Sequence, residues 1–454
     1  MVGVMSWRNA VCAGLCLILM ACGGGSDDAA GNAAQCSAKQ SKDAVRSYMR
    51  SNYFWNSQVQ SQLNSDLLYV QAGADVERYF NSLLWAPALG GKDKYSFIYT
   101  SAQYSQASNG ESVGYGIDWA WAGSGSARVL RVRYVEPGSE GAIKGVLRGD
   151  TLLTVNGAAL VYGSVTQAQL AALLPSSANV TTTLTLQPAL GSKRTVILTS
   201  KKIEESPVLL SQTMTAADGQ KVGYLVFNTF MAEKGLTQLQ TAFRKFKTDG
   251  ISDLVLDLRY NGGGSLDIAQ ALGGMIAGEA VREKTFYRLI HNSNLSSRDQ
   301  SLPFSIDADS TANLGLKRVF ILTGSGSASA SEALIYGLKP FVNVIQIGET
   351  TYGKPVGMYV TPMCGDVYLA INFEGVNANN EGGYYSGIAP TCSVADDLSH
   401  ALGNSGESML SAALAYRTAG KCPSLAAAGA TQSQAQAMQS LQVNPLRNNL
   451  LITR

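Results

Sequence analysis

Apolar positions along the chain follow three successive patterns, and each marks a new kind of element. Between 37 and 84 they recur at helical spacing, with Ala44, Val45, Tyr48, Met49, Tyr53 and Trp55 on one face and Val76, Tyr79, Phe80 and Leu83 on another. From 113 to 200 they alternate in steps of two, as in Val129-Leu-Arg-Val-Arg-Tyr-Val, and Gly149-Asp-Thr-Leu-Leu-Thr-Val-Asn-Gly reads as a strand closed by an Asn-Gly turn. After about 203, short apolar runs and amphipathic stretches take turns. Strands are predicted at 222–227, 253–258, 318–322 and 342–347, and helices at 232–246, 266–276 and 332–338. This is the pattern of an α/β sheet with buried central strands. Residues 285–317 read as hairpin or loop excursions, 367–373 as strand and 407–417 as helix. The Ala/Gln/Ser-rich stretch 424–454 receives no function.

Composition narrows the class. A chain of 454 residues exceeds one ordinary domain, so two or three are expected. Hydrophobic residues at 46% and charged ones at 15% describe a globular protein, and a net charge of +2 gives no electrostatic case for nucleic acid. Arg8 precedes the apolar run 10–21, too short for a bilayer but right for the core of a signal peptide. Leu19-Met20-Ala21-Cys22, followed by Gly-Gly-Gly-Ser-Asp-Asp, resembles a bacterial lipobox. That implies cleavage before Cys22, lipidation of its thiol and a membrane-anchored protein exported to the cell envelope. An ordinary signal peptide that contains a cysteine is the other reading, and either one exports the chain.

Export makes the cysteines informative. Cys12 and Cys16 leave with the signal and Cys22 takes lipid, so Cys36, Cys364, Cys392 and Cys422 remain for two disulfides with three connectivities. The expected pairs are Cys364–Cys392, closing one insertion, and Cys36–Cys422, tying the first helix to the end of the last domain. No cysteine set has zinc spacing and the chain has only two histidines, so no metal or cofactor is expected.

The chemistry concentrates in 322–358. An apolar strand runs into a small-residue turn, and a helix leaves it. A serine there meets free N–H groups and the positive end of the helix dipole, which suits a nucleophile; Ser329-x-x-Glu332 also fits a capping box. Four serines compete for the position: Ser325, Ser327, Ser329 and Ser331. His291 and His400 lie in no stretch resembling a catalytic loop. Lys354, between Gly353 and Pro355, is a candidate base, because a lysine in an apolar pocket loses its proton more readily.

Three stretches carry a resemblance: Ser-Ala-Ser-Ala-Ser-Glu at 327–332, Gly-Glu-Thr-Thr-Tyr-Gly-Lys at 348–354 and Leu-Asp-Leu-Arg-Tyr-Asn-Gly-Gly-Gly at 256–264. In this order they look like the signatures of the carboxyl-terminal processing peptidases, serine peptidase family S41. The resemblance implies Ser329 as nucleophile, Lys354 as base, and the N–H groups of Ala330 and Gly263 as oxyanion hole. Asp257, Arg259, Asn261, Glu332 and Glu349 are the expected supporting residues. Lys94-Tyr-Ser-Phe-Ile-Tyr resembles the segment closing the family's N-terminal domain. Gly114-Tyr115-Gly116-Ile117, Pro-Gly-Ser at 137–139 and Gly149 to Gly157 look like a PDZ domain, which implies a substrate carboxylate held at those first four residues. One departure stands out. The family's lysine is usually followed four residues later by an orienting glutamine; here that residue is Met358, and Pro355 replaces the usual glycine, so Glu349 or a backbone carbonyl is expected to orient Lys354.

The resulting architecture is α+β and multidomain. It comprises a lipoprotein signal peptide (1–21), a tether (22–35), a small helical domain (36–108), a PDZ-like β-domain (109–202), an α/β, ClpP/crotonase-like catalytic domain (203–423) and the tail (424–454). The expected partners are protein or peptide substrates with free C-termini, the membrane through the lipid anchor, and no nucleic acid; oligomeric state is left open. An inactive C-terminus-binding module and a Ser/Lys hydrolase of esters or cell-wall amides are the other classes considered.

Overall fold

The computed structural model describes residues 36–61, 75–231, 234–306, 310–424, 439–441 and 451–453. The signal peptide, Cys22, the tether and most of 424–454 lie outside them.

The centre is a six-stranded sheet in the order Val208–Thr215, Lys221–Phe227, Asp253–Asp257, Arg318–Thr323, Asn343–Gly348 and Cys392–Ser393. Its first pair is antiparallel and the other four pairings are parallel. Successive side chains point to opposite faces, so the apolar runs predicted as buried strands feed two cores. Leu225, Phe227, Leu254, Leu256, Val319 and Ile321 pack under the helices Lys234–Asp249, Leu266–Ala277 and Ala330–Leu338. Tyr224, Val226, Val255, Phe320, Leu322 and Ile345 face the other way, against Met409 and Leu410 of the helix Ser408–Ala419. Elements begin and end within three residues of the expected positions.

Residues 285–303 form a hairpin, Thr285–His291 with Gln300–Pro303, and Thr285–His291 joins a second sheet with Ile371–Val376 and Val356–Tyr359. The N-terminal helices Ala38–Asn52 and Val76–Ser82 bury Val45, Met49, Tyr79 and Phe80 in one core with Val356, Met358, Tyr368 and Ile371. Phe97–Thr100 pairs with Asp366–Leu369. The first helical stretch is thus built onto the strand segment that follows Lys354.

The middle unit is a separate antiparallel sheet around Trp119, Leu130, Val132, Leu152, Leu184 and Leu198. The expected turn at Asn156-Gly157 is present, with φ 50° and 81°. Arg148 fastens this unit to the central one by an ion pair to Asp396 at 2.6 Å and a hydrogen bond to the Tyr260 hydroxyl.

The disulfides differ from expectation. Cys36 pairs with Cys364 and Cys392 with Cys422, their Cα atoms 5.1 and 5.6 Å apart. The reason is packing: Cys36 precedes the helix that lies on the 356–371 strands, and Cys364 sits in the turn between Thr361–Met363 and Asp366–Leu369. Cys392 lies on the edge strand of the central sheet, and Cys422 just past the helix packed on that sheet. Non-reducing peptide mapping by mass spectrometry is expected to yield the 36–364 and 392–422 linked peptides; a 364–392 link contradicts this arrangement.

Candidate active site

Two turns at the carboxyl ends of neighbouring parallel strands are stitched into one wall. The strand Asp253–Asp257 ends in the turn 258–264, and Arg318–Thr323 ends in 324–329. Ser327 Oγ donates to Leu258 O at 2.7 Å, Ser331 Oγ to Asn261 O at 3.0 Å, and Ala328 N–H to Asn261 O at 3.2 Å. A Cβ at Gly324 would stand 2.7 Å from Arg259 O, so only glycine lets the two turns approach this closely.

Arg259 anchors the first turn from below. Its buried guanidinium meets Asp257 at 2.8 Å and both Asp396 and Glu407 at 2.7 Å. Asp257 and Arg259 therefore hold the turn, and Asp396 and Glu407 complete a buried network that no local sequence signal announces. Burial pushes the Asp396 carboxyl up, but Arg148 and Arg259 outweigh it and hold the group well below the usual carboxylate range.

These contacts single out one serine. Ser327 and Ser331 donate their hydroxyls to carbonyl oxygens, whereas Ser329 Oγ, buried at the start of the helix Ala330–Leu338, has no hydrogen-bond partner among the described residues. Ser329 also adopts φ 62° and ψ −113°, a strained conformation for a non-glycine residue that sets the side chain against the helix entrance. Ala330 opens the helix, so its N–H has no intrahelical acceptor. Of the capping box only the carboxylate half forms: Glu332 Oε2 accepts from Ser329 N–H at 2.8 Å.

Glu332 does more than cap. The same Oε2 accepts from Lys354 N–H at 2.8 Å, and Oε1 accepts from Gly353 N–H at 2.7 Å and Thr351 Oγ1 at 2.5 Å. One carboxylate oxygen thus holds the main chain of the candidate nucleophile and of the candidate base together. Burial raises the Glu332 pKa, and these donors oppose that rise.

Lys354 is fully buried, and burial pushes its amine down to about 7; Asp93 and Glu332 pull in the opposite sense. Its Nζ lies 5.6 Å from the centre of the Tyr95 ring, and Tyr95 Oη donates to Gly353 O at 2.6 Å. Tyr95 thus stands beside the amine, and Met358 is buried in the core shared with the N-terminal helices. Glu349 accepts from Ser325 N–H at 3.1 Å and steadies the other end of the serine turn. Tyr95 lies in the Lys94-Tyr-Ser-Phe-Ile-Tyr segment noted above, and that segment was the one signal that could have found it.

Gly263, expected as the second oxyanion donor, has its N–H on Asn261 Oδ1 at 2.9 Å, while Asn261 Nδ2 holds Phe227 O at 2.8 Å. Only Ala330 has the expected free geometry as the chain stands. Gly263 would have to exchange that acceptor for an oxyanion.

Gly114, Tyr115, Gly116 and Ile117 lie elsewhere, lining a groove of about 500 Å³ that the middle unit, with Tyr134 and Leu173, shares with Tyr99, Gln103 and Ala107. Gly116 has φ 73°, and a Cβ there would stand 2.2 Å from that of Ser139. The Tyr115 hydroxyl turns inward to Thr182 Oγ1 at 2.8 Å, so this residue offers the groove its backbone.

The profile of peptidase family S41 matches residues 221–394, and that of the S41 N-terminal domain matches 40–97. The chloroplastic C-terminal processing peptidase of Tetradesmus obliquus is 26% identical over 257 residues, 54% of this chain and 52% of that protein. A carboxyl-terminal-processing protease of Picosynechococcus is 27% identical over 227 residues, 50% of this chain and 51% of that one. The chain thus spans about half the length of these curated relatives. Among solved structures, one described as an S41 protease from Bacteroides fragilis aligns with a TM-score of 0.65 at 27% identity, covering 83% of this chain and 97% of that one. The photosystem II D1 C-terminal processing protease shares the fold, with a TM-score of 0.50 at 20% identity over 79% of this chain and 93% of that one.

Proposed function

Because the chain belongs to peptidase family S41, we propose that it is a serine endopeptidase that cuts near the C-termini of unfolded or processed proteins with a Ser329/Lys354 dyad. The observation that carries this reading is the pairing, through Glu332, of a buried serine hydroxyl without a partner among the described residues with a buried lysine whose amine burial pushes down to about 7. Neutral Lys354 takes the Ser329 proton as Oγ attacks the peptide carbonyl. The Ala330 N–H, at the positive end of its helix, stabilises the oxyanion, joined by Gly263 once Asn261 Oδ1 is released. The lysine then returns the proton to the leaving amine, and water resolves the acyl-enzyme by the same route.

In this proposal the middle unit, 109–202, acts as a PDZ domain and holds the substrate's C-terminus at 114–117, a role supported by the groove there. The mature protein works in the cell envelope, anchored by lipid at Cys22.

Hydrolysis of a peptide with an apolar C-terminus, followed against pH, tests the reading. Below about 7 the lysine is cationic and cannot accept a proton, so kcat/KM is expected to rise through that pH and then level off. Binding of the peptide without turnover at any pH points instead to a binding module, and turnover of esters alone to a different hydrolase.

A further inference from the structure

Two short strands late in the chain pair with elements beside the 114–117 loop and beside the Ser329/Lys354 site. Gln439–Ser440 extends the middle sheet antiparallel to Ile117–Ala122, with Gln439 opposite Trp121 and Ser440 opposite Ala120. Leu441 N–H then donates to Trp119 O at 3.0 Å, and Leu441 packs against that unit's core. The segment therefore runs toward residue 117, the direction in which an added peptide strand would carry its C-terminus to the 114–117 loop.

The second strand enters the catalytic unit. Leu451–Thr453 inserts between Gly264–Ser265 and Val356–Tyr359, parallel to both. Leu451 lies opposite Gly264, Ile452 opposite Ser265 on one side and Met358 on the other, and Thr453 opposite Tyr359. One neighbour continues the glycine turn that carries Gly263, and the other begins two residues after Lys354. Ser329 and Lys354 are both buried.

We infer that the cleft between Gly264–Ser265 and Val356–Tyr359 is a strand-accepting substrate site, and that the chain's own strand Leu451–Thr453 is its resident occupant, while Gln439–Ser440 occupies the middle-unit edge. The inference rests on the peptidase reading for the word substrate, but the occupancy itself does not depend on catalysis. A strand between two others satisfies backbone donors and acceptors on both sides, so an incoming peptide must displace it rather than add to it. Because the occupant is covalently attached, it competes at an effective concentration in the mM range, and weak free peptides lose that competition. A productive substrate is accordingly an extended segment long enough to engage both edges, and the resting chain is self-inhibited.

The test uses the full chain carrying Ser329→Ala, which removes cleavage as a variable. Leu441→Pro and Ile452→Pro are combined in it, each removing one backbone donor from a strand. A fluorescent synthetic peptide of residues 439–454 is expected to bind this variant about 10-fold or more tighter than the parent, since the tethered competitor is gone. Hydrogen exchange of the 117–122 and 356–359 amides is expected to accelerate in the variant. Unchanged affinity together with unchanged exchange overturns the inference. Where the peptide binds neither protein, the exchange result decides alone: acceleration supports the occupancy and no change overturns it. Peptide hydrolysis by the unsubstituted chain is scored separately. Cleavage with no effect of the prolines removes only the self-inhibition, and faster exchange without any cleavage removes only the peptidase reading.

Discussion

Replacing Ser329 by alanine is expected to lower kcat for peptide hydrolysis by about 10⁶-fold, to the background set by the remaining oxyanion donor and binding contacts. The hydroxyl has no hydrogen-bond partner among the described residues, so its removal orphans no buried group. Stability is expected to change by less than about 1 kcal/mol, which separates loss of chemistry from loss of fold. Lys354→Met, which keeps a long apolar stem in the same pocket, is expected to lose activity to a comparable degree, and the double variant to lose no more than either alone, because the two groups act as a unit. Single-turnover kinetics on all three variants, with urea unfolding alongside, checks this. Full activity in Lys354→Met would remove the lysine from the mechanism.

Glu332→Gln is expected to have the next largest effect, on both fold and rate. Both carboxylate oxygens face donors: Thr351 and Gly353 on one, Ser329 and Lys354 on the other. A carboxamide presents an NH₂ to one of these pairs in either orientation, leaving buried donors unpaired at about 1–3 kcal/mol each. A loss of about 3–5 kcal/mol in unfolding free energy is expected. A readout beyond stability fixes the positioning role. Glu332 as an anion favours the charged form of Lys354, so its neutralisation drops the lysine pKa below about 7 and moves the rising limb of the pH profile toward acid. A purely structural carboxylate would leave that limb where it was.

Helical and two-residue periods located the helices, the antiparallel unit and the parallel strands, because each element buries a face whose spacing is written locally. The site was legible for a narrower reason. Ser329 and Lys354 sit in short motifs, and the glycine turn can bring backbone to backbone only with glycine at positions such as 324 and 264.

Other features depend on residues far apart in the chain, which no local pattern records. The strand that follows Lys354 packs on helices from the N-terminus, and this placed Tyr95 over the amine and left Met358 as core. The same packing brought Cys36 to Cys364 and reversed the expected disulfides. Gly263, free in the motif, lost its N–H to a side chain two residues away once the turn closed.

By itself, the sequence determined the elements, their order and the residue types able to do acyl-transfer chemistry, since these follow from local periodicity and side-chain identity. Only the tertiary structure decided which of the serines at 327, 329 and 331 keeps a hydroxyl without a partner among the described residues, that the lysine lies buried beside Tyr95, and that Leu451–Thr453 pairs with Gly264–Ser265 and Val356–Tyr359. Each of these is set by which distant donor reaches which acceptor when the separate faces are buried together.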